Sequence, residues 1–350
     1  MSGSVLASVE EVTPDWLTEV LRRQDPLADS RVVDVSVASA EESLVKLRVS
    51  YASPVRTEAP TSLFLKMSER EPKKGWRVGR NEVVFYGKAA PIAPAGLVPK
   101  CYDAVFEEAS DASTCCWKTC RPPIASCRST RPPPSRNASA SSRPMPRFMP
   151  RCGIAPRSRT IRFGLPDLGT YVDHLNEPFA GLVDFLGDRL STERHRRCER
   201  MLADPTLLKS RIAAGKNLTL IHGDAHAANV FHPREGIADS IRIVDWETWR
   251  IRPVTWDLAY MMAMFWYPER RQVLETKLLR HYHRALLVHG VRGYEFDDLW
   301  RDYRLAVLDL LTVILSQYEF GLPARIWWHN LERILLAHED LGCDELRGGI

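Results

Sequence analysis

The chain has 350 residues, of which 45% are apolar and 26% are charged. This is enough for two domains with sizeable cores, and it excludes a peptide, a small disulfide-stabilised protein and a disordered tail. The net charge of +4 is unevenly distributed, because the segment 112–166 holds eleven basic residues and no acidic one. Without those eleven, 37 basic residues face 44 acidic ones, and the net charge is −7. A nucleic-acid or membrane function inferred from the overall charge would therefore depend on this segment alone.

The sequence carries no targeting or membrane signal that we recognise. Its N-terminus lacks a basic region followed by an apolar one, and no run of about 18 uncharged apolar residues follows. We therefore expect a soluble, cytoplasmic protein that has no membrane partner.

The first hundred residues predict a small sheet with helices. Thr13 and Pro14 form a helix start, with an N-cap followed by proline at the first helical position. Runs of alternating or β-branched residues predict strands, and a helical stretch is inserted among them. The predicted helices cover 14–21 and 80–90, and the predicted strands cover 31–37, 43–51, 62–67 and one or two within 98–106.

From Asp167 onward the hydrophobic period becomes helical. Between two of these helices, a compact region at 218–245 is dense in Asp, Asn and His. The predicted helices cover 168–186, 192–202, 256–266, 269–288, 296–320 and 324–338. A β-rich front and a helical back predict an α+β protein with two lobes around a cleft.

The most specific motif is His222-Gly-Asp224-Ala-His-Ala-Ala-Asn229, followed sixteen residues later by Asp245 in Ile-Val-Asp-Trp-Glu. Phosphoryl transfer requires a carboxylate to receive the hydroxyl proton and oxygen ligands that hold Mg²⁺ on the phosphates. An Asp and an Asn five residues apart on one loop can supply both. A second Asp at the end of an apolar strand adds an anionic metal ligand.

This pattern resembles the aminoglycoside phosphotransferase and choline kinase-like superfamily, which includes ecdysteroid kinase-like proteins. The resemblance implies a protein kinase-like two-lobed fold, with a small β-rich N-lobe and a larger helical C-lobe, and it implies ATP and Mg²⁺ as cofactors. By the same resemblance, Asp224 is the catalytic base, and Asn229 and Asp245 bind Mg²⁺.

The resemblance extends to four further residues. Lys66 matches the strand lysine that contacts the α and β phosphates, and Glu82 matches its helical ion-pair partner. His222 helps to hold the catalytic loop. Asp257 matches the family's structural aspartate that packs back onto that loop.

One part of the family pattern is absent. No glycine-rich phosphate loop is present, since 38–43 occupies the predicted turn between the first two strands. Ser39 and Ser43 are candidates to offer hydroxyl or backbone N–H groups to the phosphates instead.

Two other interpretations of the late residues stay open. His222 and His226, four residues apart, could instead be metal ligands of a hydrolase, although Gly223 argues for a loop rather than the required helix. The many aromatic residues after 245 could include a face for a cationic or sugar-like substrate. Most of them are expected to lie in the core or at the rim of the helical lobe.

The segment 113–162 departs from the family pattern. Ten prolines between Pro122 and Pro166 forbid a regular helix where the family has a hinge and a long helix. The codons for Thr114–Cys120, read from each third base, permit Leu-Leu-Glu-(Asp/Asn), which is similar to the family's hinge. The codons for 148–154, shifted in the same way, permit His-Ala-Ala-Leu-Trp-Asp, which is typical of the next helix.

We therefore hypothesise that 113–162 is translated out of frame, which resequencing of the gene tests. The domains are then an N-terminal nucleotide-binding lobe at 1–112, the anomalous segment at 113–162, and a C-terminal catalytic and substrate lobe at 163–350. The alternative is a disordered basic insertion.

The expected function is ATP-dependent transfer of a phosphate to a hydroxyl of a small molecule, provided that the hinge is intact. The first alternative is a catalytically impaired kinase-like protein or a damaged gene product. The second is nucleic-acid binding through the Arg-rich segment, which we do not favour, because aromatic residues are few there. The sequence identifies neither the acceptor nor the oligomeric state.

Overall fold

The computed structural model describes residues 5–24, 27, 29–41, 43–56, 59–67, 78–110, 112–118, 175–203, 206–231 and 241–347. These fall into two compact units. The first unit comprises the described residues up to 118 together with those of the segment 228–249, and the second comprises those of 175–227 and 250–347. Each unit has its own hydrophobic core. Most of the anomalous segment, 119–162, lies outside the described residues, and so do 168–174 of the first predicted C-terminal helix.

The first unit is built on a five-stranded antiparallel sheet, as the alternating runs predict. Its strands are Val32–Glu41 (β1), Leu44–Tyr51 (β2), Ser62–Met67 (β3), Cys101–Glu107 (β4) and Ala112–Lys118 (β5). Their order across the sheet is β1-β2-β3-β5-β4. Leu47, Leu63 and Leu65 are fully buried on the face that packs against the N-terminal helix region.

Strand β5 is missing from the sequence prediction, because it lies at the start of the segment assigned as anomalous. The chain nevertheless pairs there on both sides, with Cys115 opposite Lys66 of β3 and opposite Ala104 of β4. Cys115, Cys116 and Trp117 are buried. A half-apolar run with one β-branched residue therefore becomes a strand once two neighbours supply its hydrogen bonds.

The turn between β1 and β2 is shorter than predicted. Glu41 pairs with Leu44, so residues 38–41 belong to β1 rather than to the predicted turn at 38–43. Ser39 consequently lies within β1, opposite Lys46. The prediction was wrong because Ala38, Ser39 and Ala40 resemble loop residues in composition, whereas continued antiparallel pairing satisfies their backbone groups.

Two helices accompany this sheet, and both agree with the predicted positions. Helix α1, Pro14–Arg22, begins at Thr13, whose side chain accepts a hydrogen bond from the backbone N–H of Trp16 at 3.1 Å. Helix α2, Val78–Val84, continues as one wider turn over Phe85–Ala89. The first unit also holds the short antiparallel pair Val230–Phe231 (β7) and Arg242–Ile243 (β8).

The second unit is mainly helical, as the 3.6-residue period predicts. It contains one short two-stranded ladder, formed by Leu218–Ile221 (β6) and Arg250–Pro253 (β9). Its helices are Asn176–Leu186 (α3), Thr192–Ala203 (α4), Thr206–Ala213 (α5), Thr255–Ala259 (α6), Pro268–Val288 (α7), Phe296–Glu319 (α8) and Ala324–Asp340 (α9). Helix α5 was not predicted. Helix α8 packs against both α6 and α9, and its apolar face is buried along its length.

Of the seven tryptophans after residue 245, five are buried: Trp246, Trp249, Trp256, Trp266 and Trp327. Tyr267 is exposed. Among the described residues, no helix combines the length and the apolar character that crossing a membrane requires.

Candidate active site

In the first unit, Lys66 of β3 is surrounded by three carboxylates. Its Nζ lies 3.1 Å from Oε2 of Glu82, on α2, and 2.8 Å from Oδ1 of Asp245. It also contacts Oε1 of Glu247. The predicted partner of Lys66 was Glu82 alone. The structure adds Asp245, a predicted metal ligand, and Glu247, for which no role was predicted.

Burial and charge act against each other in this cluster. Burial by itself lowers the pKa of the Lys66 ammonium, but the charges of the three carboxylates more than offset this and raise the pKa above its ordinary value. Burial raises the pKa of Glu82 to about 7, although the Lys66 charge opposes it. Lys66 therefore keeps its positive charge, whereas burial disfavours the ionised form of Glu82.

The segment that carries Asp245 and Glu247 is attached to α2 by specific contacts. The side-chain amide of Asn81 donates hydrogen bonds to the backbone carbonyls of Glu247, at 2.5 Å, and Trp249, at 3.1 Å. The indole N–H of Trp249 returns a hydrogen bond to the carbonyl of Asn81 at 2.7 Å. Phe85 stacks on Trp246 with ring centroids 4.1 Å apart. These contacts hold the acidic segment against the helix that bears Glu82.

Asp245 itself adopts an uncommon backbone conformation, with φ of +65°. A non-glycine residue in this region is disfavoured by about 1 kcal/mol or more, so the surrounding contacts must hold it there. Asn229 lies at the same end of the β7–β8 ladder, since its carbonyl accepts a hydrogen bond from the N–H of Val244 at 3.0 Å. The pairing of β7 with β8 therefore places Asn229 beside Val244, the residue before Asp245, although Asn229 and Asp245 are sixteen residues apart in the chain.

The donor set of this cluster fits Mg²⁺. One oxygen from each of Glu82, Asp245 and Glu247 lies within 4.8 Å of the others. Mg²⁺ prefers carboxylate and carbonyl oxygens and rarely takes sulfur or imidazole ligands. Oε1 of Glu82 is also buried without a hydrogen-bond donor among the described residues. Among the described residues, three carboxyl groups of this cluster thus surround one ammonium group.

In the second unit, the loop after β6 is held by Asp257 of α6. The Asp257 carboxylate accepts hydrogen bonds from the backbone N–H of His222 at 2.7 Å and of Gly223 at 2.9 Å. It is 1% exposed, and burial raises its pKa although both N–H donors and His222 oppose this. Gly223 has φ of +85°, which a side chain at this position would strain. The loop therefore turns sharply just before Asp224.

Asp224 is fixed by donors on both carboxylate oxygens. The hydroxyl of Tyr260 donates to Oδ1 at 2.5 Å, and Nε2 of His226 lies 3.5 Å from Oδ2. Burial alone raises the pKa of Asp224, but His226 and Tyr260 outweigh it and lower the pKa to about 2. The backbone N–H of Asp224 also donates to Nδ1 of His222 at 3.2 Å. The carboxylate is therefore ionised and oriented at neutral pH.

Asp224 lies in the wall of a cavity of about 380 Å³. His226, Tyr260 and Phe265 line it beside Asp224, and residues of α8 and α9 complete it. A volume of this size suits a small molecule. The sequence analysis did not predict Tyr260 or the α9 residues as part of the site.

The remaining predicted residues are placed as follows. Ser39 is exposed on β1 and Ser43 lies in the tight turn, where its carbonyl accepts a hydrogen bond from the N–H of Met67 at 3.0 Å. The zinc alternative for His222 and His226 has no support in the geometry. Within the described part of the chain, the group of three or more close metal-ligating side chains is the Glu82, Asp245 and Glu247 cluster, and neither histidine belongs to it.

Comparison with known proteins also indicates similarity to kinases of small molecules. The sequence profile of the ecdysteroid kinase-like family matches residues 179–290. No curated protein matches the sequence significantly.

Solved structures show the fold. A choline/ethanolamine kinase family protein from Mesorhizobium loti matches with a TM-score of 0.52 and 15% identity, over 91% of this chain and 93% of its own. A Ralstonia eutropha protein provisionally assigned as an aminoglycoside phosphotransferase matches with a TM-score of 0.53 and 12% identity, over 95% and 98%. The ethanolamine kinase of Plasmodium vivax matches with a TM-score of 0.54 and 10% identity, over 90% and 83%. The predicted protein kinase-like α+β fold is therefore confirmed, and so is the predicted resemblance to the aminoglycoside phosphotransferase and choline kinase-like superfamily.

Proposed function

Starting from this superfamily, whose members are small-molecule kinases, we propose that the chain is an ATP-dependent phosphotransferase acting on a hydroxyl of a small molecule. The observation that carries the proposal is Asp224, an ionised carboxylate fixed by Tyr260 and His226 in the wall of a ligand-sized cavity. Such a group can hold an acceptor hydroxyl by its proton.

The low pKa of Asp224 defines its role in this reaction. A carboxylate with a pKa of about 2 is too weak a base to deprotonate a free alcohol. We infer that it orients the hydroxyl by accepting its hydrogen bond and takes the proton when the new O–P bond is largely formed. This order suits the loose transition state of phosphoryl transfer, in which the attacking oxygen carries little negative charge at first.

Lys66 is the proposed phosphate ligand, and its contact with Glu82 supports the assignment. A permanently charged ammonium in a fixed position can neutralise charge on the transferring phosphate without reorganising. Asn229 and Asp245 are the proposed Mg²⁺ ligands, with Glu247 as an additional carboxylate. When bound there, Mg²⁺ would neutralise the negative charge of the nucleotide phosphates. Ser39 and Ser43 remain candidates for further phosphate contacts.

The test is phosphate release from ATP, and product formation over a range of alcohols, in the wild type and in Asp224→Ala. We expect the variant to lose about a thousandfold in kcat, within the range for removal of an acid–base group. Asp34→Asn, which changes an exposed aspartate on β1, serves as the matched control and should retain activity. Equal activity of the wild type and Asp224→Ala would refute the role of Asp224.

The anomalous segment requires a second version of the chain in this assay. Ten prolines and eleven basic residues lie within 112–166, where the family has its hinge and a long helix, and loss of both would exceed the marginal stability of a domain, about 5–15 kcal/mol. We therefore expect the frame-restored chain to be the more active and the more stable of the two. Nucleotide binding by both versions without transfer would favour the alternative, a catalytically impaired kinase-like protein.

A further inference from the structure

The cavity beside Asp224 has an unusual balance of charge. Helix α9 faces it with Ile326, His329, Asn330 and Arg333, at the spacing i, i+3, i+4, i+7 that forms one side of a helix. Three of these four residues are polar or basic. Among the described residues that line the cavity, Asp224 is the one carboxylate and Arg333 is the one permanent cation.

Arg333 is held by a hydrogen bond and an aromatic ring, but no carboxylate among the described residues neutralises its charge. Its Nη1 donates a long hydrogen bond to the carbonyl of Met264 at 3.4 Å, and its guanidinium lies 5.1 Å from the ring centroid of Tyr267. Within the described ranges, no ion pair within 4.0 Å joins Arg333 to a carboxylate. The guanidinium therefore keeps free N–H donors and a full positive charge at the cavity.

Neutral polar groups complete the lining. Gln317 of α8 reaches the cavity, and its Oε1 is buried without a donor in the part of the chain that the structure describes. Phe265 adds an aromatic wall beside His226, with ring centroids 5.2 Å apart. A ligand that donates a hydrogen bond to this oxygen of Gln317 would be favoured, because no described residue donates to it.

This lining disfavours a cationic acceptor. A cation would be repelled by Arg333, and the carboxylate that could pair with it in the described part of the lining, Asp224, is the group proposed to hold the reacting hydroxyl. An anionic acceptor would instead be attracted, because arginine binds a carboxylate with two parallel hydrogen bonds. An anion bound to Arg333 would not compete with the hydroxyl for Asp224.

We propose that the acceptor is a hydroxy acid, a small molecule with an alcohol for Asp224 and a carboxylate for Arg333. This proposal rests on the proposed function. In the reaction, the acceptor oxygen forms a bond to the γ-phosphorus of ATP, and the bond from that phosphorus to the bridging oxygen breaks. ADP leaves with the electron pair, and the hydroxyl proton passes to Asp224.

The test uses matched acceptors of three to six carbons with a primary hydroxyl at one end. The other end is a carboxylate, a primary amide or an ammonium group, so that charge changes with little change in shape. Both versions of the full chain are assayed with ATP and Mg²⁺. We expect kcat/KM to be highest for the hydroxycarboxylate and lowest for the hydroxyammonium compound.

The Arg333→Gln variant measures what Arg333 contributes to the use of each acceptor. It should lower kcat/KM for the hydroxycarboxylate about 10- to 100-fold, chiefly through KM, which matches the loss of a charged hydrogen bond. The hydroxyamide should be unaffected, and Arg333→Lys should recover part of the loss. Arg325→Gln, an exposed arginine on the same helix that does not line the cavity, is the control.

Two results overturn the proposal: a hydroxyammonium acceptor used as well as the hydroxycarboxylate, or an Arg333→Gln effect that is equal for all three compounds. Calorimetric binding of the hydroxycarboxylate to the wild type and to Arg333→Gln gives a reading that is independent of turnover. Absence of binding to the wild type also overturns the proposal. Failure of the proposed function has a different signature, which is ATP turnover that Asp224→Ala does not reduce.

Discussion

The two charged centres of this chain are constructed in opposite ways. In the sheet-containing unit, one ammonium group, Lys66, contacts three carboxylates. In the helical unit, one carboxylate, Asp224, is held by a hydroxyl and an imidazole. Among the described residues, the first centre has three carboxyl groups around one ammonium group, and the pKa of one of them, Glu82, is raised to about 7. The second has an excess of donors, and the pKa of its carboxylate falls to about 2.

Under the proposed function, this difference separates two requirements of phosphoryl transfer. A site that binds a metal needs more negative charge than its own cations neutralise, whereas a group that orients a hydroxyl must stay ionised and fixed. Burial raises the carboxyl pKa in both centres, so burial does not explain the contrast. The neighbouring groups explain the contrast. Among the described residues, Glu82 shares the cation Lys66 with two other carboxylates, whereas Asp224 has Tyr260 and His226 to itself.

Removal of Lys66 should have the largest effect on the first centre. Lys66→Met leaves Glu82 buried beside two like charges, so we expect the free energy of unfolding to fall by about 3–5 kcal/mol at pH 8. Activity with ATP should fall about a hundredfold or more, since the proposed phosphate ligand is lost. Denaturant unfolding and steady-state kinetics measure the two effects.

The double variant Lys66→Met/Glu82→Gln distinguishes stability from function. Replacing Glu82 by a neutral isostere should restore most of the lost stability but none of the activity. The Lys66→Met defect should also be smaller at pH 6 than at pH 8, because protonated Glu82 no longer needs its partner. A defect that is the same at both pH values would contradict the assignment of the buried charge to Glu82.

Asp257→Asn tests the support of the second centre. The carboxylate accepts from two backbone N–H groups, and an amide oxygen can replace it while placing its own N–H₂ against one of those donors. We expect a loss of about 2–3 kcal/mol in the free energy of unfolding, because a buried donor is left unsatisfied. Asp297→Asn, at an exposed position in the first turn of α8, should cost much less in the same denaturant titration.

Tyr260→Phe should have the smallest effect and the most specific one. The Tyr260 hydroxyl stabilises the ionised form of Asp224, so its removal should raise the pKa of Asp224 from about 2 toward the ordinary value. The acid limb of the pH profile of kcat/KM should move to higher pH, with a loss of several-fold or less at neutral pH.

Stability should follow the same change. A carboxylate with a depressed pKa stabilises the folded state above its unfolded pKa and loses this contribution as pH falls through the folded value. Tyr260→Phe should therefore lose less stability than the wild type between pH 4 and pH 2. Tyr318→Phe, which removes a hydroxyl that donates to the carbonyl of Gly181, should leave the acid limb in place.

The sequence predicted the parts of this molecule that depend on local pattern. The alternation in β2 and β3 and the helical periods of α7, α8 and α9 reflect which face of each element is buried, and burial has a fixed period in each case. The spacing of Asp224, Asn229 and Asp245 likewise pointed to one chemistry, because few functions need that order of ligands. Strand β5 escaped prediction, since its pairing with β3 and β4 is non-local and its sequence merges into a proline-rich segment.

What the sequence alone determined was therefore the class of fold, the family resemblance and the identity of the chemical groups. Only the tertiary structure decided which groups act on one another. Glu247 contacts Lys66 because the hydrogen bond from Asn81 holds the backbone of Glu247 in place. Arg333 lines the cavity beside Asp224 because one side of α9 forms part of the cavity wall. Electrostatic interactions depend on distances in space, and the distance between residues more than a hundred positions apart is not fixed until the chain has folded.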